Sequence, residues 1–269
     1  MAKTGSGQAP VALITGASSG IGEALARSFA RNGHRLVLVA RSAGRLREHA
    51  ARLGDEFGAQ AVAMPADLSR PQAAAALAER LKRRRLAIDV LVNNAGVLEA
   101  GLFERMPARA HRRMIELNVA GLTAMVAQFV PGMVRRGRGR ILNVASIAAF
   151  QPVPTLATYA ATKAFVLSLS ESLAEELRDS GVTVTALCPG VTATPMLSRA
   201  TKANARLAQL PGALVGDAEA VAAEGYRACM AGEVIAVPGA INAAATAAAR
   251  AAPRWLVRRV AGALGRSML

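Results

Sequence analysis

Val11-Ala12-Leu13-Ile14 is a short apolar run, and Thr15-Gly16-Ala17-Ser18-Ser19-Gly20-Ile21-Gly22 follows it directly. Apolar residues without polar alternation read as a strand covered on both faces. From Ile21 to Arg31 the apolar positions recur at helical spacing. The glycines at 16, 20 and 22 allow the sharp turn that joins the two. A strand, a glycine-rich turn and a helix in this order open an α/β unit, and the helix aims its unpaired amides back at the turn.

The alternation continues on the C-terminal side. Leu36-Val37-Leu38-Val39 precedes a helical stretch from Ser42 to Phe57, and Ala61-Val62-Ala63-Met64 precedes one from Pro71 to Arg85. Val90-Leu91-Val92, Ile141-Leu142-Asn143-Val144 and the run from Val182 to Leu187 are further strands, with long helical stretches from Ala108 to Arg136 and from Thr158 to Asp179 between them. Val234-Ile235-Ala236-Val237 reads as the last strand. This pattern predicts an α/β doubly wound parallel sheet, a Rossmann fold of about seven strands with helices on both faces. No linker divides residues 1–269, so a single domain is expected, with ligand sites at the carboxyl ends of the strands. Residues 192–232, between the last two strands, are long enough to form a lid over such a site.

The turn from Gly16 to Gly22, with Ser18, Ser19, Gly20 and Ile21 inside it, suits the pyrophosphate of a dinucleotide. An acidic residue about 20 positions on would hold the ribose hydroxyls of NAD. Counting from Gly20 reaches Ala40, which cannot do so, and Arg41 and Ser42 come next. A guanidinium there forms paired, charge-assisted bonds with a 2′-phosphate, so NADP(H) is expected.

Composition limits the remaining classes. A chain of 269 residues buries a full core without staples. Its two cysteines, Cys188 and Cys229, exclude a disulfide scaffold and favour a reducing, cytoplasmic setting. Residues 1–8 lack the apolar stretch of a secretory leader, and no run of strongly apolar residues long enough to span a membrane is expected. The net charge is +15, and all but four of the 33 basic residues are arginine. Such a surface attracts anions, but aromatic residues are only 3% of the chain, so a base-stacking nucleic-acid surface is not expected.

Several motifs together resemble the short-chain dehydrogenase/reductase family, from about Pro10 to Gly239. The glycine turn is similar to its T-G-x-x-x-G-x-G, and Asn93-Asn94-Ala95-Gly96 to its N-N-A-G turn after the fourth strand. Asp67, before Leu68, stands where the family places an aspartate against the adenine amino group. Pro189-Gly190 with Thr194 resembles the segment at the nicotinamide carboxamide. Tyr159 and Lys163 match Y-x-x-x-K, and Ser146 lies 13 residues earlier, the family's usual spacing. Asn118 falls in the preceding helix, where the family has a fourth catalytic member. The resemblance implies the Rossmann fold, hydride transfer with a nicotinamide cofactor, and a homodimer or homotetramer built on the helices that carry Asn118 and Tyr159. It also implies that Asn118 holds a water in a proton relay from Lys163, and that Lys163 reaches the nicotinamide ribose.

Elementary chemistry gives the remaining roles. A free phenol has a pKa near 10, and an ammonium one helical turn away would lower it, so Tyr159 is expected to act as general acid and base. Ser146 at a strand end would hydrogen-bond the substrate oxygen. His34, His49 and His111 read as surface residues without metal-ligand spacing, so no metal site is expected. Cys188 reads as a buried small hydrophobe. Val97, Leu98, Ile147 to Gln151, Val191 and Met196 make a mostly apolar pocket wall, suited to a lipophilic ketone or alcohol. A carrier-linked 3-oxoacyl substrate and a non-catalytic, NADP-binding regulatory role are the alternatives. The segment 253–269 pairs Trp255, Leu256, Val260 and Leu264 with Arg254, Arg258, Arg259 and Arg266, a basic amphipathic helix that could cover a subunit or meet a membrane surface.

Overall fold

The first strand, β1 (Val11–Thr15), is buried along its whole length because both of its faces are used. Ala12 and Ile14 enter one apolar cluster, and Val11 and Leu13 enter the cluster on the other side. The structure, a computed structural model, describes residues 9–203 and 215–267. β1 lies inside a parallel seven-stranded sheet of order β3-β2-β1-β4-β5-β6-β7, third from one edge. The other strands are β2 (Arg35–Val39), β3 (Ala61–Ala63), β4 (Val90–Asn93), β5 (Gly139–Val144), β6 (Val182–Leu187) and the two-residue β7 (Ile235–Ala236), and β1 pairs with β2 and β4. The order reverses between β1 and β4, and crevices for ligands open at such reversals, beyond the carboxyl ends of the strands.

One face is covered by α1 (Gly20–Arg31), α2 (Ala43–Phe57) and α8 (Ala218–Ala231). α8 buries Val221, Ala222, Gly225, Ala228 and Cys229, a helical stripe. A Cβ on Gly225 would lie 2.7 Å from Leu187 Cδ2, so this glycine lets α8 press onto β6. The other face is covered by α3 (Ala73–Arg83), α5 (Leu122–Arg135) and α6 (Ala157–Glu176). The structure thus matches the doubly wound architecture read from the sequence.

Three local readings change. The helical stretch from Ala108 to Arg136 is not one α-helix: α4 (Ala108–Ile115) passes into a π-helical turn over Glu116–Gly121 before α5 begins. By length and composition the run Ala108–Arg135 is apolar enough to cross a membrane, since an 18-residue window within it has a mean hydropathy of 1.5, against the expectation that no such stretch exists. In the fold it packs on the sheet through Met125 and Met133. The histidines are not surface residues either. His34 is buried among the rings of Phe29 and Tyr226, and His49 is buried on the stripe Leu46, His49, Leu53 of α2. His111 is half-buried beside Phe103 and Thr158.

Of the segment 192–232, α7 (Pro195–Ala203) follows the end of β6, and residues 204–214 lie outside those described. Its last part is α8, which packs against α1 as a helix of the body rather than above the strand ends. α9 (Ala240–Ala251) and α10 (Arg254–Ser267) complete the described chain.

Candidate active site

The glycine turn is held open from below by a knot between β1 and β4. Thr15 Oγ1 accepts from the backbone amides of Asn94 and Ala95, each at 2.9 Å, and donates to the Val92 carbonyl at 3.2 Å. The Asn94 side-chain amide donates to the Thr15 carbonyl at 2.9 Å and lies 3.4 Å from that of Gly16. Gly16 has φ +67°, a left-handed conformation natural to glycine. A Cβ on Gly22 would come within 2.3 Å of both the Gly16 carbonyl oxygen and Asn94 Nδ2, so only glycine lets α1 start against the turn. Ser19 caps α1 by position but makes no side-chain capping bond, which leaves the first-turn amides of α1 open toward the turn. Thr194 packs its Cγ2 3.0 Å from where a Cβ of Gly20 would be, so the Pro189–Thr194 segment closes over the same turn.

The other cofactor candidates gather on this edge. Arg41 and Ser42 are exposed just beyond β2, with Ser42 at the N-cap of α2. Asp67 accepts from the Ser69 hydroxyl at 2.7 Å, and that bond, helped by Arg41 and Arg70, holds its carboxyl below the usual carboxylate range. Leu68 is buried, and its carbonyl lies 2.4 Å from where a Cβ of Gly121 would stand, which joins the π turn to this loop. Gly96 has Asn118 Oδ1 and Lys163 Nζ on the two sides of its missing Cβ, at 3.3 and 3.7 Å. Gly190 lies under Asn242 of α9, whose Nδ2 would be 2.6 Å from a Cβ there. A glycine cradle, open helix amides and an exposed guanidinium beside Asp67 fit a phosphorylated dinucleotide.

Ser146, Tyr159 and Lys163 converge at the carboxyl end of β5. Ser146 caps the 3-10 turn Ile147–Ala149; its Oγ accepts from the Ala148 amide at 3.1 Å and reaches the Pro189 carbonyl at 3.5 Å. Tyr159 and Lys163 are both buried on α6. Lys163 Nζ donates to the Val144 carbonyl at 2.7 Å and sits 5.7 Å from the centre of the Tyr159 ring. The expected depression of the phenol does not appear. Burial pushes the Tyr159 hydroxyl up to about 12, and a hydrogen bond with Ser146 draws it partway back. Burial also brings Lys163 down to about 8. For each group the loss of water around its charged form is the largest cause.

Asn118 is buried in the π turn, with both ends of its side-chain amide engaged. Its Oδ1 accepts from the Val97 amide at 2.9 Å, and its Nδ2 donates to the Val97 carbonyl at 2.9 Å and to Thr162 Oγ1 at 3.1 Å. The side chain therefore fixes the Val97 backbone beside Gly96. Cys188 is buried with its thiol pushed up to about 12 by burial, as suits a packing residue.

Three supporting residues escaped the sequence reading. Thr15, the last residue of β1, ties the two turns together. Thr162, one helical turn after Tyr159, receives Asn118 and donates to the Tyr159 carbonyl at 2.7 Å. His49 Nδ1 lies 2.9 Å from the Ala17 carbonyl and so props the glycine turn from α2. Its place three residues after Leu46 and four before Leu53 was the available signal.

The family model of the short chain dehydrogenases matches residues 10–205. Oxidoreductase UcpA of Escherichia coli is 39% identical over 189 residues, 69% of this chain and 70% of that protein. A short-chain dehydrogenase from Sphingobium yanoikuyae, solved in complex with NADPH, is 41% identical with a TM-score of 0.80, covering 89% of this chain and 91% of that one. A bulky-bulky ketone specific alcohol dehydrogenase from Comamonas testosteroni is 34% identical with a TM-score of 0.76, covering 90% and 92%. The sheet order, the glycine cradle at its reversal and the half-buried serine beside the buried tyrosine and lysine agree with these matches: the chain is an oxidoreductase of the short-chain dehydrogenase/reductase family, which binds a nicotinamide cofactor.

Proposed function

We propose that this protein is an NADP(H)-dependent carbonyl reductase, reversible as an alcohol dehydrogenase, acting on an apolar ketone or secondary alcohol. The observation that carries this reading is the convergence of Ser146, Tyr159 and Lys163 in one buried cluster beside the glycine cradle. Gly16, Ser18, Ser19, Gly20, Ile21 and Gly22 would hold the pyrophosphate, Arg41 and Ser42 the 2′-phosphate, and Asp67 and Leu68 the adenine edge. Asn94, Ala95, Gly96, Pro189, Gly190 and Thr194 would hold the nicotinamide half. When bound, the reduced nicotinamide supplies the hydride.

The chain's own residues supply the proton and the orientation. Ser146 donates to the carbonyl oxygen and fixes it in reach of the phenol. A phenol held protonated is ready to give its proton to the oxygen as negative charge develops there. Lys163, cationic below about pH 8, then steadies the phenolate left behind. Val97, Leu98, Phe150 and Val153 favour an apolar substrate. The NADPH complex of the Sphingobium protein and the ketone named for the Comamonas protein support the same reading.

Tyr159→Phe removes the proton donor and little else. Turnover of a ketone panel with NADPH is expected to fall by roughly a thousand-fold, with NADPH affinity by fluorescence titration nearly unchanged. Retained turnover would overturn the assignment, whereas absence of turnover in the parent enzyme as well would favour the regulatory reading.

One observation favours a carrier-linked 3-oxoacyl substrate as the second reading. A cleft of about 520 Å³ beside Met106 is lined by Arg105, Arg109 and Arg113 against the single carboxylate of Glu99, which lies 3.6 Å from Arg113, and this net positive lining suits an acidic carrier or a coenzyme phosphate. Under that reading Arg109→Glu raises KM for a carrier-linked substrate and leaves KM for a free ketone unchanged. We also place the protein in the cytoplasm as a homodimer or homotetramer. Exposed Ile115 and Val134 on the α4–α5 run and exposed Phe165 on α6 support that assembly.

A further inference from the structure

α10 is left over once the fold and the site are accounted for. Leu256 and Val260, one helical turn apart, share one of its sides, and Arg254 and Arg258 share the opposite one. Trp255 lies at the boundary, with Arg258 on one flank and Arg259 on the other. Much of the apolar side is uncovered: Leu256 is 40% and Val260 52% exposed, with Val257 at its edge half-buried, and Trp255 at the boundary is 55% exposed. α10 makes no extended contact with any other element of the described chain.

Charge indicates what covers it. No acidic residue follows Glu233, while Arg250, Arg254, Arg258, Arg259 and Arg266 all do. A second copy is a poor occupant, because a symmetric pairing of α10 with itself brings the arginines of two +15 chains together. An anionic bilayer satisfies both sides at once: phosphates meet the guanidinium groups, the leucine and valine enter the acyl boundary, and the indole sits at headgroup level. Place in the fold agrees. Arg250, near the end of α9, lies over the Phe150 ring at 5.7 Å, and Phe150 follows the turn capped by Ser146. α10 therefore leaves the body within about a helical turn of the edge of the site.

We propose that α10 is a peripheral membrane anchor that docks the enzyme on anionic lipid with Trp255, Leu256 and Val260 inserted at the interface. The test uses the full chain with phosphatidylcholine vesicles, with and without phosphatidylglycerol, read by co-sedimentation and by fluorescence of Trp255, the chain's only tryptophan. The expected result is binding that requires phosphatidylglycerol and shifts the emission to the blue. The triple variant Arg254→Gln, Arg258→Gln, Arg259→Gln is expected to bind about a hundred-fold more weakly, at about five-fold per arginine. Leu256→Ser with Val260→Ser is expected to abolish the blue shift. NADPH binding reports that each variant is folded, since α10 carries none of the site residues. Failure of the parent protein to bind overturns the proposal. So does binding that survives both variants, which would assign it to the charge of the whole body. A blue shift that grows with protein concentration in the absence of vesicles would assign the face to another copy of the chain instead.

Discussion

At the scale of single residues, the site is governed by burial more than by pairing. Lys163 is brought down to about 8 because little water surrounds its ammonium, and Tyr159 is pushed up to about 12 for the same reason. The sign follows from the charged forms: Lys163 is cationic below about 8 and neutral above, so its support for the phenolate is present at neutral pH and lost as pH rises. Single-turnover carbonyl reduction is therefore expected to be level near neutrality and to fall as pH passes through about 8, while NADPH affinity, measured in parallel, separates a binding loss from a chemical one. Under the proposed NADP(H) reading, cofactor choice turns on Arg41. Arg41→Ala is expected to weaken NADPH by roughly tenfold to a hundredfold and to leave NADH nearly unchanged; equal losses in paired titrations would remove its role at the 2′-phosphate. The placement of Ser146, Tyr159 and Lys163 together at the end of β5 was legible in the sequence because it depends on residue type and spacing. The direction of the Tyr159 shift was not, since neighbour charge can be read from a helix register but desolvation depends on what the rest of the chain places around it.

At the scale of elements, the strands announced themselves because parallel strands covered on both sides must be apolar throughout, as β1 is. The α4–α5 run was legible as helix but not as a π turn, because an apolar stripe at helical spacing does not say where one residue too many is looped in. The buried histidines were missed because polarity was weighed above position, although His49 falls on the apolar stripe of α2. The junction of the glycine turn with α1 has the least spare room. Gly22→Ala would set a methyl 2.3 Å from the Gly16 carbonyl oxygen. It is expected to cost about 1–3 kcal/mol of stability and to weaken NADPH binding as the turn shifts, checked by denaturant unfolding and by titration.

At the scale of the whole molecule, the parallel sheet brings residues from Gly16 to Thr194 to one edge and leaves the opposite edge to stability alone. That stability has a built-in acid sensitivity. His34 and His49 are held below their ordinary value, chiefly by burial, so the unfolded chain takes up protons first as pH drops through about 6.5. The melting temperature is expected to fall between neutral pH and about pH 5. His34→Phe, which keeps a ring beside Phe29 and Tyr226, should flatten that fall in melts recorded across the range. The π turn over Glu116–Gly121 reaches furthest through the molecule. It sets Asn118 on Val97 and Gly121 on Leu68, and it fixes the rotation of everything that follows. Deleting the extra residue there would close the turn into regular α-helix, leaving Met125 and Met133 on the sheet but drawing Asn118 off Val97. This helix can exchange many of its side chains, but its length is fixed as firmly as its chemistry.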